Sequence, residues 1–187
     1  VLANHTAGID PVLIQTALPF EPRWMMAADM RLPVLEPLWR YARIIFVDRG
    51  EPDSTSLRTA LAHLKAGGAL GIFPEAHLER PPRHVLPFKP GVGLMVKRSR
   101  ALVLPVVVDG TPTGPTAWSS ILKRGRCRVR IFPPIDYTLD GMPTDAEAIR
   151  DDLERRLREA AGWPASPVRP EVDAAGELRW IDRETGD

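Results

Sequence analysis

A histidine and an aspartate five residues apart stand near the start of the chain, in Asn4-His5-Thr6-Ala7-Gly8-Ile9-Asp10. If the intervening loop folds back, the carboxylate holds one imidazole nitrogen and fixes the tautomer. The other nitrogen can then take a proton from a substrate hydroxyl. This is the base-and-orienter half of a serine-protease arrangement, without a protein nucleophile. The spacing alone also fits a plainer reading, with Asp10 capping a helix and His5 bonding within its loop. His77 and Glu75, joined by His5 and Asp10, have the donor types of a zinc site. No pair among them has a strong metal spacing, and Cys127 is the only cysteine, so no metal is expected.

The elements that must position these groups alternate between strand and helix. Val1 to Ala3 reads as the end of a strand. Asp10-Pro11 opens a helix through Ala17, with Asp as N-cap and Pro at the first helical position. Trp24–Ala28 reads as a strand, Val34–Ala42 as a helix and Ile44–Val47 as a buried strand. Ser54–Ala66 is a helix with Leu57, Leu61 and Leu64 on its core face, stopped by Gly67-Gly68. Ala69–Phe73 is a further buried strand, and Pro74–Pro90 a loop rich in proline and charge. A short helix over Val92–Arg98, a strand over Leu102–Val108 and a half-exposed strand over Arg126–Phe132 follow. Thr144–Ala161 is the last helix, with Ala148, Leu153 and Leu157 turned inward.

This order predicts a layered α/β domain with a mainly parallel sheet flanked by helices, over residues 1–163. Residues 164–187 read as a loosely attached tail. Parallel sheets carry their sites at the carboxyl ends of strands, and each chemical motif follows a predicted strand.

Those motifs resemble a known family. Asn4-His5 to Asp10 is similar to the His-x4-Asp motif of the glycerolipid acyltransferases, the 1-acylglycerol-3-phosphate and glycerol-3-phosphate O-acyltransferases. Ile45-Phe46-Val47-Asp48-Arg49 resembles the family's second motif. Gly71-Ile72-Phe73-Pro74-Glu75 resembles the start of its Phe-Pro-Glu-Gly-Thr-Arg motif, and Pro87-Phe88-Lys89-Pro90-Gly91 the segment after it. Val103-Leu104-Pro105-Val106, followed by Gly110, resembles the fourth. The likeness runs from Val1 to Gly110 and implies an acyltransferase fold. It assigns His5 as general base and Asp10 as its orienter. Arg49, Phe73, Pro74, Glu75, Arg80 and Lys89 become the substrate-binding residues. It also implies acyl-CoA or acyl carrier protein as donor, a lysolipid such as 1-acylglycerol-3-phosphate as acceptor, and no further cofactor.

One motif departs from the pattern. Ala76-His77-Leu78 stands where the family has Gly-Thr-Arg, so the arginine that usually helps grip the acceptor phosphate is Leu78 here. Arg80, Arg83 or Lys89 would have to replace it. The same departure keeps two alternatives open: a catalytically weak relative that binds lipid or acyl carrier, and an acyl thioesterase with water as acceptor.

Composition sets the outer bounds. The 187 residues are 44% hydrophobic, enough for one core-bearing domain. A net charge of +1 gives no reason to expect a nucleic-acid partner. The charge is uneven, however. From Arg80 to Ile135 the only acid is Asp109 among many Arg and Lys, which suits phosphate-bearing ligands or an anionic membrane surface. Trp118, Ile121 and Leu122 beside Lys123 and Arg124 have the make-up of a segment that dips into a membrane interface or of an ordinary loop cluster. No apolar run reaches the roughly 20 residues of a spanning helix. The chain begins with Val and enters its first motif at once, so native sequence before Val1 is expected. The expected location is the cytoplasmic side of a membrane, peripheral or anchored by that missing segment.

Overall fold

The computed structural model describes residues 1–48, 54–112, 123–173 and 177–186. Five strands run parallel. β2 (Arg23–Ala27) pairs with β3 (Ile45–Val47) on one side and β4 (Leu70–Gly71) on the other. β1 (Leu2–Ala3) pairs with β5 (Pro105–Asp109). A single parallel bridge between Leu2 and Ile72 joins the two sets, reinforced by Ile72 N–H to Val1 O at 3.0 Å. β6 (Arg128–Ile131) closes the far edge antiparallel to β5. The sheet is therefore α/β and mainly parallel, as the sequence predicts.

The pleat of β1 and β5 divides the core. Leu2 and Val107 point to one face, toward α4 (Gly91–Ser99) and α5 (Ala146–Ala161). Ala3, Val106 and Val108 point to the other, where Ile14 of α1 (Asp10–Ala17) covers them. α3 (Ser54–Lys65) buries Ala60 and Leu61 against Ile45, Leu70 and Met95. Successive residues on both strands serve opposite faces, the period-two behaviour of a sheet covered on both sides.

The structure corrects several sequence expectations. α5 turns Ile149, Leu153, Leu157 and Ala161 inward, while Ala148 is exposed. Ile149 keeps the four-residue step to Leu153 that one helix face requires; Ala148 lies one position off it. Asp145 caps this helix by accepting from Glu147 N–H at 2.9 Å. α4 and α5 pack so closely that a Cβ on Gly93 would lie 1.9 Å from the carbonyl oxygen of Ala146. The expected helix over Val34–Ala42 divides into a 3₁₀ turn (Pro33–Leu35) and α2 (Glu36–Tyr41). Pro37 stands in the first turn of α2, where the missing N–H has no helical partner to lose.

The tail is not loose over its described residues. Val168–Val172 (β7) and Leu178–Asp182 (β8) form an antiparallel hairpin. Its base is tied to the body: Val85 N–H donates to Pro164 O, Ser166 N–H donates to Val85 O, and the Ser166 hydroxyl donates to Arg80 O at 2.5 Å. Among the described residues no helix is long and apolar enough to cross a membrane.

Candidate active site

Where β1 ends, its backbone pairing is continued by a side chain. Asn4 Nδ2 donates to Val108 O at 2.9 Å, and Val108 N–H donates back to Asn4 Oδ1 at 2.8 Å. That two-way bond fixes the chain direction one residue before His5. The His5 backbone is then held at both groups: its N–H donates to Glu75 Oε1 (3.1 Å), and its carbonyl accepts from Glu79 N–H (2.7 Å).

Asp10 does not act as the N-cap of α1. It is the first helical residue, with Ile9 at the cap position, and its fully buried carboxylate turns back over the loop. Oδ2 accepts from Thr6 N–H (2.7 Å) and Ala7 N–H (2.8 Å), and lies 3.0 Å from His5 Nδ1. Oδ1 accepts from the Thr6 hydroxyl at 2.9 Å, and that hydroxyl also contacts Thr111 Oγ1. With Nδ1 donating to Asp10, the tautomer places the acceptor lone pair on Nε2. Nε2 has no hydrogen-bond partner among the described residues. The imidazole stacks on Phe73 at 4.1 Å, and Phe73 stacks on Trp24 at 5.2 Å. Ring position and tautomer are both set before any ligand arrives. The His5 side chain is 19% exposed.

It opens onto a cavity of about 1710 Å³. The walls are largely apolar, with Ile9, Val12, Trp24, Met25, Leu57 and Met95 among them. Phe73, Pro74 and Lys89 from the sequence-based set also line it. So do Arg23, Arg40 and Arg43, which the sequence reading did not single out. Their positions in β2, in the last turn of α2 and just after it carry no motif, so only the fold brings them here.

Two expected substrate contacts lie elsewhere. Glu75 is fully buried and off the cavity wall; its Oε1 holds His5 N–H and its Oε2 holds Leu86 N–H at 2.7 Å. Burial pushes its carboxyl well above the usual range, although the two backbone donors pull the other way. Arg80 is also off the wall, with Nη1 donating to Glu79 O at 3.0 Å. Arg83, the other candidate replacement, is exposed and paired with Asp109 at 3.2 Å. Arg49 lies outside the described residues, as do Trp118, Ile121 and Leu122.

Glu79 is a residue that sequence reasoning missed. It is 4% exposed, and its Oε2 has no hydrogen-bond partner among the described residues. Burial raises its pKa to about 7, and the charges of Asp10 and Asp109 add to the rise. No group of three or more His, Cys, Asp or Glu side chains that could hold a metal occurs among the described residues. His84 bonds Pro82 O, and His63 bonds Ala69 O, each at 3.0 Å.

A profile of the acyltransferase family matches residues 1–109. The chain belongs to the acyltransferase family. The matched segment contains the whole His5–Asp10 loop, Phe73 and Lys89. This family member also resembles the crystal structure of PlsC from Thermotoga maritima, a 1-acyl-sn-glycerophosphate (LPA) acyltransferase, with a TM-score of 0.65 and 22% identity. The alignment covers 86% of this chain and 64% of that one. At that identity the likeness establishes the fold. A comparison with curated protein sequences found no match.

Proposed function

We propose that this acyltransferase moves a fatty acyl group from a thioester, acyl-CoA or acyl carrier protein, to a hydroxyl of a lysophospholipid such as 1-acylglycerol-3-phosphate. The observation that carries the reading is His5 on the wall of a large apolar cavity, with the buried Asp10 carboxylate 3.0 Å behind its Nδ1. The cavity exceeds the ~300–1,000 Å³ usual for small-molecule sites, as two chain-bearing substrates would require.

In this mechanism the acceptor oxygen attacks the thioester carbonyl while His5 Nε2 takes its proton. Asp10 holds the ring and stabilises the imidazolium. The tetrahedral intermediate collapses with cleavage of the C–S bond, and the imidazolium proton passes to the departing thiolate. Backbone N–H groups of the motif loops support the negative charge that develops on the carbonyl oxygen. Lys89, with Arg49 of the second motif, supplies cationic partners for an acceptor phosphate. Arg40 and Arg43 on the cavity wall add positive charge. Both lipids are amphipathic, so the reaction belongs at a membrane surface, on the cytoplasmic side where thioester donors are available. The exposed Lys123, Arg124, Arg126 and Arg128 suit an anionic leaflet.

The test is product analysis with an acyl-CoA donor, with and without lysophosphatidate. Thiol release that depends on acceptor and matches phosphatidate formed is the expected result. Release without acceptor would make the protein a thioesterase, and binding without release would make it a carrier-binding relative.

A further inference from the structure

The family profile ends at residue 109, yet part of the cavity wall comes from a segment well beyond it. Pro170 and Val172 of β7 line the same cavity as His5. The register of the hairpin pairs Val168 with Asp182, Pro170 with Trp180 and Val172 with Leu178. Paired residues on adjacent strands share a face. One face thus carries Val168, Pro170, Val172, Leu178 and Trp180, with Asp182 at its base. The other carries Arg169, Glu171, Arg179 and Ile181, with Arg169 and Glu171 ion-paired at 2.9 Å. The apolar face is the one turned to the cavity.

That face meets the motif in which this chain departs from the family pattern. The Trp180 ring lies edge-on to the His77 ring, with centroids 6.0 Å apart and planes at 74°. His77 itself lines the cavity. At the turn end of the hairpin, Val172 is 57% exposed and Leu178 44% exposed. They are large apolar groups paired on the cavity side, where protein only partly covers them. The base of the hairpin is fixed by the bonds of Ser166 to Val85 and Arg80, so this face is held in place over the cavity.

We propose that the β7–β8 hairpin is the wall that selects the acceptor: Trp180 and His77 limit the space beside its head group, and Val172 and Leu178 contact its acyl chain. The proposal rests on the reading of the site as a lysolipid acyltransferase and deepens it. An apolar wall from outside the family segment adds chain-length discrimination without touching the proton chemistry at His5. One methylene gained or lost in an enclosed apolar pocket is worth roughly 10–200-fold in discrimination, and several against a partly open wall reach the lower part of that range.

The experiment compares steady-state kinetics of the wild type, Trp180→Ala, Trp180→Phe and the double variant Val172→Ser/Leu178→Ser. Acyl-CoA is the donor, and the acceptors are lysophosphatidates of short and long chain. Trp180→Ala should raise acceptor KM about tenfold, with donor KM and kcat within about twofold, and Trp180→Phe should recover most of the loss. The double variant changes exposed positions, so its fold is secure. It should narrow the preference between long and short acceptors by roughly tenfold. Hydrogen exchange in residues 168–172 and 178–182 should slow when long-chain lysophosphatidate is added without donor. Unchanged acceptor KM, unchanged chain preference and unchanged exchange, in an enzyme whose wild type acylates lysophosphatidate, would overturn the proposal. A wild type without transfer activity would instead overturn the reading beneath it. Exchange would then still report whether the hairpin meets the lipid.

Discussion

Two loops enclose the candidate site, and they are built in opposite ways. In the loop from Asn4 to Asp10 the buried carboxylate is fully bonded, and His5 Nε2 is left open toward the cavity among the described residues. The Asp10 carboxylate takes two backbone N–H groups, a hydroxyl and the imidazole, all between 2.7 and 3.0 Å. In the loop from Pro74 to Pro90 two acids are buried, and only one is fully bonded: Glu75 holds His5 and Leu86, while Glu79 keeps an oxygen without a partner among the described residues. The first loop carries the proton chemistry of the proposed function. The second carries the departure at Ala76-His77-Leu78, beside the place where an acceptor must be recognised. On the proposed function, the difference teaches that proton transfer would rest on a closed hydrogen-bond network, whereas acceptor choice would fall to a loop with a buried, incompletely bonded acid.

Breaking the closed network should have the largest effect. Asp10→Asn removes the charge that supports the imidazolium and exchanges one acceptor oxygen for a donor amide. We expect turnover to fall by about 10²–10⁴-fold, with circular dichroism unchanged. A fall of less than tenfold would show that the dyad is not the catalytic unit.

The open loop should respond to pH. The Glu79 carboxyl rises from its usual 4.5 to about 7 in the folded protein. The folded state therefore holds its proton more tightly than the unfolded state does. Its relative stability is greatest below about pH 4.5 and declines as pH rises toward 7, by up to about 3 kcal/mol. Glu79→Gln should flatten that decline. Denaturant titrations at pH 5 and pH 8 should find the variant gaining on wild type at the higher pH, and an equal difference at both would refute the assignment.

Glu75→Gln leaves one oxygen to serve two backbone donors and turns an amide toward the other. A stability loss of about 1–3 kcal/mol follows, the usual cost of a buried unsatisfied group. The expected readout is a lower midpoint in urea, with acceptor KM little changed, because Glu75 is off the cavity wall. A large rise in acceptor KM alone would restore Glu75 to the substrate-binding set. Arg83→Ala, which removes an exposed pair with Asp109, should cost less than about 1 kcal/mol and leave kinetics unaltered.

Much of the scaffold is legible in the sequence because its signals are local. The Leu57, Leu61 and Leu64 spacing of α3, the β-branched run before Asp48 and the Asp10–Ala17 helix all depend on neighbours in the chain. His5, Asp10, Phe73 and Lys89 are readable as a set through motif order, and the fold places all but the buried Asp10 on one cavity wall. What escapes depends on contacts distant in sequence. Glu75 reads as a polar group facing substrate, yet its partners are the backbones of His5 and Leu86. Thr111 reaches Thr6 only because β1 and β5 are neighbours. The hairpin is hidden differently: Val-Arg-Pro-Glu-Val and Leu-Arg-Trp-Ile-Asp carry much of the alternation of strands, but the proline, glycine and charge around them read as a loosely attached tail.

The central claim is that His5 takes the acceptor's proton, and one measurement addresses it most directly. Wild type and His5→Ala are compared in single turnover with labelled acyl-CoA and lysophosphatidate, after matching their thermal unfolding. The account predicts phosphatidate and free thiol in equal amounts from wild type, and a rate lower by about 10²–10⁴-fold in the variant. Phosphatidate formed at near wild-type rate by folded His5→Ala protein would contradict it.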